Sequence, residues 1–209
     1  MRGLLFLIAA VAFATAAQAA DLSVSVRTSK GQPVGDAVVT LYPSGGSGSG
    51  PIKFDWPYRM AQQNLKFDPF VLVVPVGAQV AFPNRDNVRH QVYSFSPAHP
   101  FELKLYGRDE TRSVRFDKVG LIALGCNIHD SMVAFIKVVD TPYAAKSDAA
   151  GLAEVHGAPS GTAVLHIWHP YMKSPGNEIV RTISLPQGGE GHETVTVDLR
   201  SPPDRRTSY

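Results

Sequence analysis

The chain has 209 residues, with 20 Lys and Arg against 18 Asp and Glu, seven His and a single Cys. So nearly neutral a balance argues against a nucleic-acid partner, because neutralising phosphates takes a basic surface. With 18 Gly, 16 Pro and an abundance of Val, Thr and Phe, and no long stretch of helical periodicity, the composition predicts short strands joined by turns, an all-β chain.

Residues 1–19 read as a targeting segment. Arg2 supplies the positive end, residues 4–13 the apolar run, and Ala17-Gln18-Ala19 the small-x-small cleavage signal. The run is too short to span a bilayer, and no other stretch approaches about 20 apolar residues, so no stable membrane insertion is expected. The expectation is export, to a periplasm. About 190 residues then remain, enough for one large or two small domains.

Residues 22–26 alternate apolar and polar, as a half-buried strand does. A turn at 30–36 leads to a second strand at 37–42. The Gly- and Ser-rich stretch that follows opens a predicted linker over residues 44–57. Residues 58–61, 67–74, 79–82, 91–95, 101–106, 113–116, 119–124 and 133–139 read as strands separated by turns at regular intervals. Such spacing predicts a two-sheet sandwich over residues 58–140. After it come strands on either side of an Asp/Gly turn within 146–155, at 163–168, at 179–185 and at 194–199. A Gly-rich hairpin loop is expected at 187–191. The tail from 201 to 209, with Pro202-Pro203 and Arg205-Arg206, is expected to be disordered.

The chemistry is concentrated in Gly125-Cys126-Asn127-Ile128-His129-Asp130-Ser131-Met132. The only cysteine is followed at three-residue intervals by an imidazole and a thioether. Thiolate, imidazole and thioether belong to the ligand set of a trigonal copper site with a weak axial sulfur. That site needs a second imidazole, and His90 at the end of Phe82-Pro83-Asn84-Arg85-Asp86-Asn87-Val88-Arg89-His90 is the upstream candidate. A lone Cys is often a small buried hydrophobe and Met is common core filler. In an exported chain, however, an unpaired thiol calls for a reason.

Residues 58–140 resemble a cupredoxin, the small blue-copper fold. The resemblance lies in Phe67-Asp68-Pro69 before a strand, in Val76-Gly77-Ala78-Gln79-Val80-Ala81-Phe82, in the stretch from Asn84 to His90, and in Cys126 to Val133. The Cys-x2-His-x2-Met spacing is the short, amicyanin-like form. The resemblance implies a Greek-key β-sandwich holding one copper, Cu(I) or Cu(II), per chain. His90, Cys126 and His129 would be its equatorial ligands and Met132 the axial one. It implies a single-electron carrier working with a redox partner protein. Gln91, Asn127 and Ile128 depart from the family's usual residues beside the ligands, where hydrogen bonds to the thiolate are organised. The 82–95 stretch and the Cys loop also resemble exported methylamine-utilisation-like proteins.

The pieces at 20–43 and 141–200, with their Gly-x-Pro-Val, Asp-x-x-Gly and Pro-x-Gly turns, resemble a carboxypeptidase-regulatory or transthyretin-like β module. The expectation is one discontinuous module, a second small sandwich, into which the cupredoxin is inserted. No phosphate loop, Gly-x-Ser-x-Gly elbow or His-Glu-x-x-His helix is present, so no enzyme is expected. The alternative function is copper trafficking or sensing without a redox partner. A third reading is a structural β protein with a degenerate site. His166 and His169 are expected to be surface histidines, since residues three apart on a strand point to opposite faces. His99 is expected in a solvated turn.

Overall fold

A computed structural model describes residues 18–47 and 50–202. All but the last two residues of the expected targeting segment, and residues 203–209 of the expected tail, lie outside them. Strands are numbered in chain order. β1 (Ala19–Thr28), β13 (Leu152–Pro159) and β16 (Gly189–Val197) form a three-stranded sheet ordered β13-β1-β16. β2 (Val38–Pro43), β12 (Ala144–Lys146), β14 (Gly161–Trp168) and β15 (Glu178–Leu185) form a four-stranded sheet ordered β12-β2-β14-β15. A five-stranded sheet is built from residues between these, ordered β5 (Val71–Pro75), β11 (Val133–Val139), β10 (Gly120–Gly125), β7 (His90–Ser94) and β8 (Phe101–Tyr106). Opposite it lie the pair β6 (Ala78–Pro83) and β9 (Thr111–Phe116) and the short hairpin β3 (Ala61–Gln63) and β4 (Lys66–Asp68). The protein is an all-β sandwich structure, and its one short helical turn, Pro175–Asn177, is of the 3-10 type among the described residues.

Period-two patterning explains the burial. In β1, Ala20, Leu22, Val24 and Val26 are buried while the residues between them are not. They meet Val39 and Leu41 of β2, Val155 of β13, Leu165 and Ile167 of β14 and Val195 of β16 in one core. A second core gathers Leu72, Val74, Val80, Phe82, Val92, Phe116, Ile122, Leu124 and Ile136 between the five-stranded sheet and β6–β9. Every residue of β5 is buried, because this strand has two covered faces. Leu72 and Val74 enter the second core, while Val71 and Val73 join Val38, Val139, Ala144 and Trp168 in a third cluster that connects the two sandwiches.

Strand pairing crosses the chain. β1 pairs parallel with β16 and antiparallel with β13, and β2 pairs with β12 and β14. Ser147, 2% exposed, accepts the Ala37 N–H at 2.9 Å and donates to the Val34 carbonyl at 2.8 Å. Gly151 closes the turn at 148–151 with φ +76°, and a Cβ there would lie 2.5 Å from the Val26 carbonyl oxygen, so glycine is required by both backbone and space.

Several elements differ from the sequence reading. The strand expected at 67–74 is divided into β4 and β5, with Pro69, which has no N–H to donate, between them. The expected loop at 187–191 belongs largely to β16, which starts at Gly189 and pairs in a different sheet from β15. Alternation alone does not reveal which sheet a strand joins. Residues 44–57, expected as a linker, carry Phe54 and Trp56 into the third cluster. There the rings stack at 4.4 Å, and Trp56 Nε1–H donates to the Val73 carbonyl at 2.8 Å. His169 is buried, not on the surface. The chain leaves β14 after Trp168, so strand alternation no longer applies, and His169 Nδ1 accepts the Tyr171 N–H at 3.2 Å. His99 is half-buried, its ring packed against Phe116 at 5.0 Å.

Two stability effects follow. Ser147→Ala removes both partners of the buried pair at Val34 and Ala37 and lowers the unfolding free energy by about 1–3 kcal/mol in urea titrations. Burial, only partly opposed by Asp36, holds the His169 imidazole below its ordinary value of 6.5. The unfolded chain therefore takes up a proton near pH 6.5 that the folded chain resists, and stability present above that pH is lost as pH falls. His169→Gln makes the thermal midpoint less sensitive to acidification below pH 6.5 than in the wild type.

Candidate metal centre

Gly125 pairs with Val133 across β10 and β11, so residues 126–132 form the connection between two adjacent antiparallel strands. Within it the Met132 N–H donates to the His129 carbonyl at 2.9 Å, closing a tight turn. Gly125 also faces Tyr93 of β7, where a Cβ would stand 2.6 Å from the tyrosine ring. The absent side chain lets the strand that ends at the cysteine pass close to the strand that begins at His90. Tyr93 and Gly125 form a contact that the sequence reading missed, and no spacing rule would reveal it.

His90 opens β7 and is fully buried, paired with Tyr106 of β8. A register shift falls between His90 and Val92, an irregularity of the type that re-aims a side chain at a site. The loop before it is held by Asn84, itself buried. Asn84 Nδ2 donates to the carbonyls of Val88 at 2.9 Å and Tyr106 at 3.1 Å, and Asn84 Oδ1 accepts the Asp86 N–H at 2.9 Å. Asn84 was part of a motif in the sequence, but only the folded loop shows its bracing role.

These elements bring together His90, Cys126 and His129, each offering a ligand atom, all within 4.8 Å of one another. Cys126 Sγ lies 3.6 Å from His90 Nδ1, and the two imidazole centroids are 5.1 Å apart. Met132 is buried in the same core cluster as Cys126. His129 is half-buried, yet its Nδ1 is shielded from solvent and has no hydrogen-bond partner among the described residues. A buried ring nitrogen without a partner is costly unless something accepts its lone pair. The residues that follow His90 and Cys126 are also joined, since Asn127 Nδ2 donates to Gln91 Oε1 at 3.1 Å. Two of the residues that depart from the family's usual pattern thus bond to each other across the site.

The electrostatics suit a thiolate. Burial pushes the Cys126 thiol up, but the hydrogen bond with His90 and the backbone N–H groups of Gln91, Ile128 and His129 outweigh it and bring the pKa down to about 6. Burial likewise works against the imidazolium of His90, while Cys126 and Asp86 together hold its pKa above the ordinary value. Asp86 lies 2.8 Å from His90 Nε2 on the side of the ring away from the thiol. Burial raises the Asp86 carboxyl, yet His90 and the N–H groups of Leu65 and Asn64 keep it below the usual range.

One thiolate, two imidazoles and a buried thioether fit copper, whose trigonal sites of one cysteine and two histidines carry a weak axial methionine. Among the described residues no carboxylate joins the three candidate ligand atoms, as an oxygen-preferring cation would require. His166 and His169 do not form a second centre. His166 pairs with Glu178 at 3.2 Å, whereas His169 turns to Tyr171.

No family model matches the chain, and no similar curated protein was found. Among solved structures, part of it is similar to the Cu-containing nitrite reductase of Thermus scotoductus SA-01, at 26% identity and a TM-score of 0.39, over 44% of this chain and 25% of that one. A purple cupredoxin from Nitrosopumilus maritimus overlaps 39% of this chain and 98% of its own length at 19% identity, TM-score 0.35. A reduced mutant of amicyanin overlaps 50% of this chain and 99% of its own at 17% identity, TM-score 0.38. The overlap accounts for a quarter of the nitrite reductase and for no more than half of this chain.

Proposed function

We propose that the chain is an exported, periplasmic copper protein that carries single electrons, with His90, Cys126 and His129 as equatorial ligands and Met132 as the axial one. The observation that carries this reading is the convergence of three ligand atoms within 4.8 Å, one from the start of β7 and two from the β10–β11 connection. The chemistry such an ion supplies is a one-electron couple between Cu(I) and Cu(II). The chain's own contribution is to hold the donors still. His90 and Cys126 are buried, with 0% and 2% of their surface accessible, and both are hydrogen-bonded to neighbouring groups. Donors held so firmly need little rearrangement between oxidation states, and they favour slow release of the metal.

His129 is the expected point of electron exit. It is half-buried beside Ile128, which is 48% exposed, so one ring edge can meet a redox partner across a mildly apolar surface. Four protein donors leave no position for a substrate, in keeping with a carrier and not an enzyme. We propose further that residues 20–43 and 141–200 form one β module into which residues 58–140 are inserted. The pairing of β1 and β2 with strands after residue 143 supports this.

Cu(II) added to the purified protein is expected to produce an intense visible thiolate-to-copper absorption, absent in Cys126→Ser. A colourless Cu(II) complex, or colour that survives the substitution, would refute the site. Electron self-exchange and copper loss to a competing chelator separate the carrier from the trafficking alternative. Rapid self-exchange with slow copper loss is expected, and the opposite order supports trafficking.

A further inference from the structure

The carboxylate of Asp86 connects three elements that the copper reading leaves unconnected. Its Oδ1 accepts the N–H of Asn64 at 2.6 Å, and its Oδ2 accepts the N–H of Leu65 at 3.1 Å. Asn64 and Leu65 form the turn of the β3–β4 hairpin and share the left-handed conformation, with φ of 56° each. Such a turn presents successive N–H groups to one acceptor. The same Oδ2 lies 2.8 Å from His90 Nε2. Asp86 itself sits in the loop braced by Asn84.

With donors on both oxygens, the carboxylate is not free to swing away from the imidazole. Arg85, its cationic neighbour in the chain, reaches Gln63 Oε1 at 3.3 Å. Among the described residues the ion pair of Asp86 is with His90. The negative charge therefore lies behind the His90 ring, opposite Cys126. A carboxylate accepting the outer N–H of a ligating histidine fixes its tautomer and strengthens its other nitrogen as a donor.

Building on the copper reading, we infer that Asp86 is a positioning residue of the centre. It holds His90 as the Nε2–H tautomer with Nδ1 turned to the metal side, and it biases the site toward the more highly charged oxidation state. The β3–β4 turn is the brace that keeps it there. A simpler role, in which Asp86 only clamps the hairpin, predicts a loss of stability and nothing at the ring.

The test is Asp86→Asn, which keeps an acceptor oxygen and removes the charge. In the metal-free wild type above the titration range of histidine, nitrogen–proton NMR of the rings should show His90 protonated at Nε2, with that proton slow to exchange. In Asp86→Asn the proton should exchange faster and shift upfield. In the copper-loaded pair, the ratio of Cu(II) to Cu(I) affinity should fall about tenfold in the variant, a rise in potential of about 59 mV. A lowered melting temperature with an unchanged ring proton and an unchanged potential assigns Asp86 to the hairpin alone and overturns the inference. A wild-type His90 carrying its proton on Nδ1 overturns it without any variant, including where Asp86→Asn fails to fold. Absence of the thiolate band in the wild type sinks the copper reading instead, and the metal-free ring measurement still decides what Asp86 does.

Discussion

An imidazole with no accessible surface must have both ring nitrogens satisfied by the protein or by something it binds. At His90 one nitrogen meets the Asp86 carboxylate at 2.8 Å and the other faces the Cys126 sulfur at 3.6 Å. Meeting that demand organises much of the inner sandwich. Asn84 shapes the loop that presents Asp86, the β3–β4 turn holds the carboxylate, and the β7–β10 pairing brings the cysteine to the far side of the ring. Loss of the contacts to the fully buried His90 or Asn84 leaves a polar group buried without a partner, which costs more than the contact itself contributes.

The outer strands do different work. β1 lies between β13 and β16, and β2 lies between β12 and β14, so residues at the start of the described chain are central strands in sheets completed near its end. Such pairing makes the first core depend on residues more than a hundred positions apart, as the Ser147 bonds to Val34 and Ala37 illustrate. The inner sandwich is joined to it through Val38, Val71, Val73, Val139 and Trp168. Lys137 adds to this seam, reaching Glu178 at 3.3 Å with its ammonium above the Trp168 ring at 5.5 Å. A surface that mixes buried aliphatics with a shielded ion pair holds the two parts together without a long shared sheet.

The site has a deep side and a shallow side. His90, Cys126 and Met132 are buried, while His129 lies half-buried in a loop whose tip, Asn127, Ile128 and Asp130, is exposed. This asymmetry follows from where the residues stand. His90 begins a strand of the five-stranded sheet and inherits its inward alternation, whereas His129 belongs to a connection between strands and has no sheet neighbour above it.

Local chemistry was enough to read the all-β class and most strand positions, and to single out the candidate donors. Alternation of side chains and turn residues is set within a few positions, and Cys126, His129 and Met132 lie close together in the chain. The pairing of the early strands with the late ones was also suggested by turn motifs in both pieces. Other features depended on contacts between distant residues. The division at Pro69, the membership of β15 and β16 in different sheets, the burial of His169 and the packing of Phe54 and Trp56 each follow from what lies across the fold. So does the pairing of Asp86, an acidic residue in the loop before β7, with the His90 ring. A carboxylate becomes a partner to a buried ring only when a hairpin more than twenty residues away turns its N–H groups toward it. Spacing along the chain determines which donors are present, but tertiary structure decides which of them face one another, because hydrogen bonds and metal ligation act over a few ångströms of space regardless of separation in sequence.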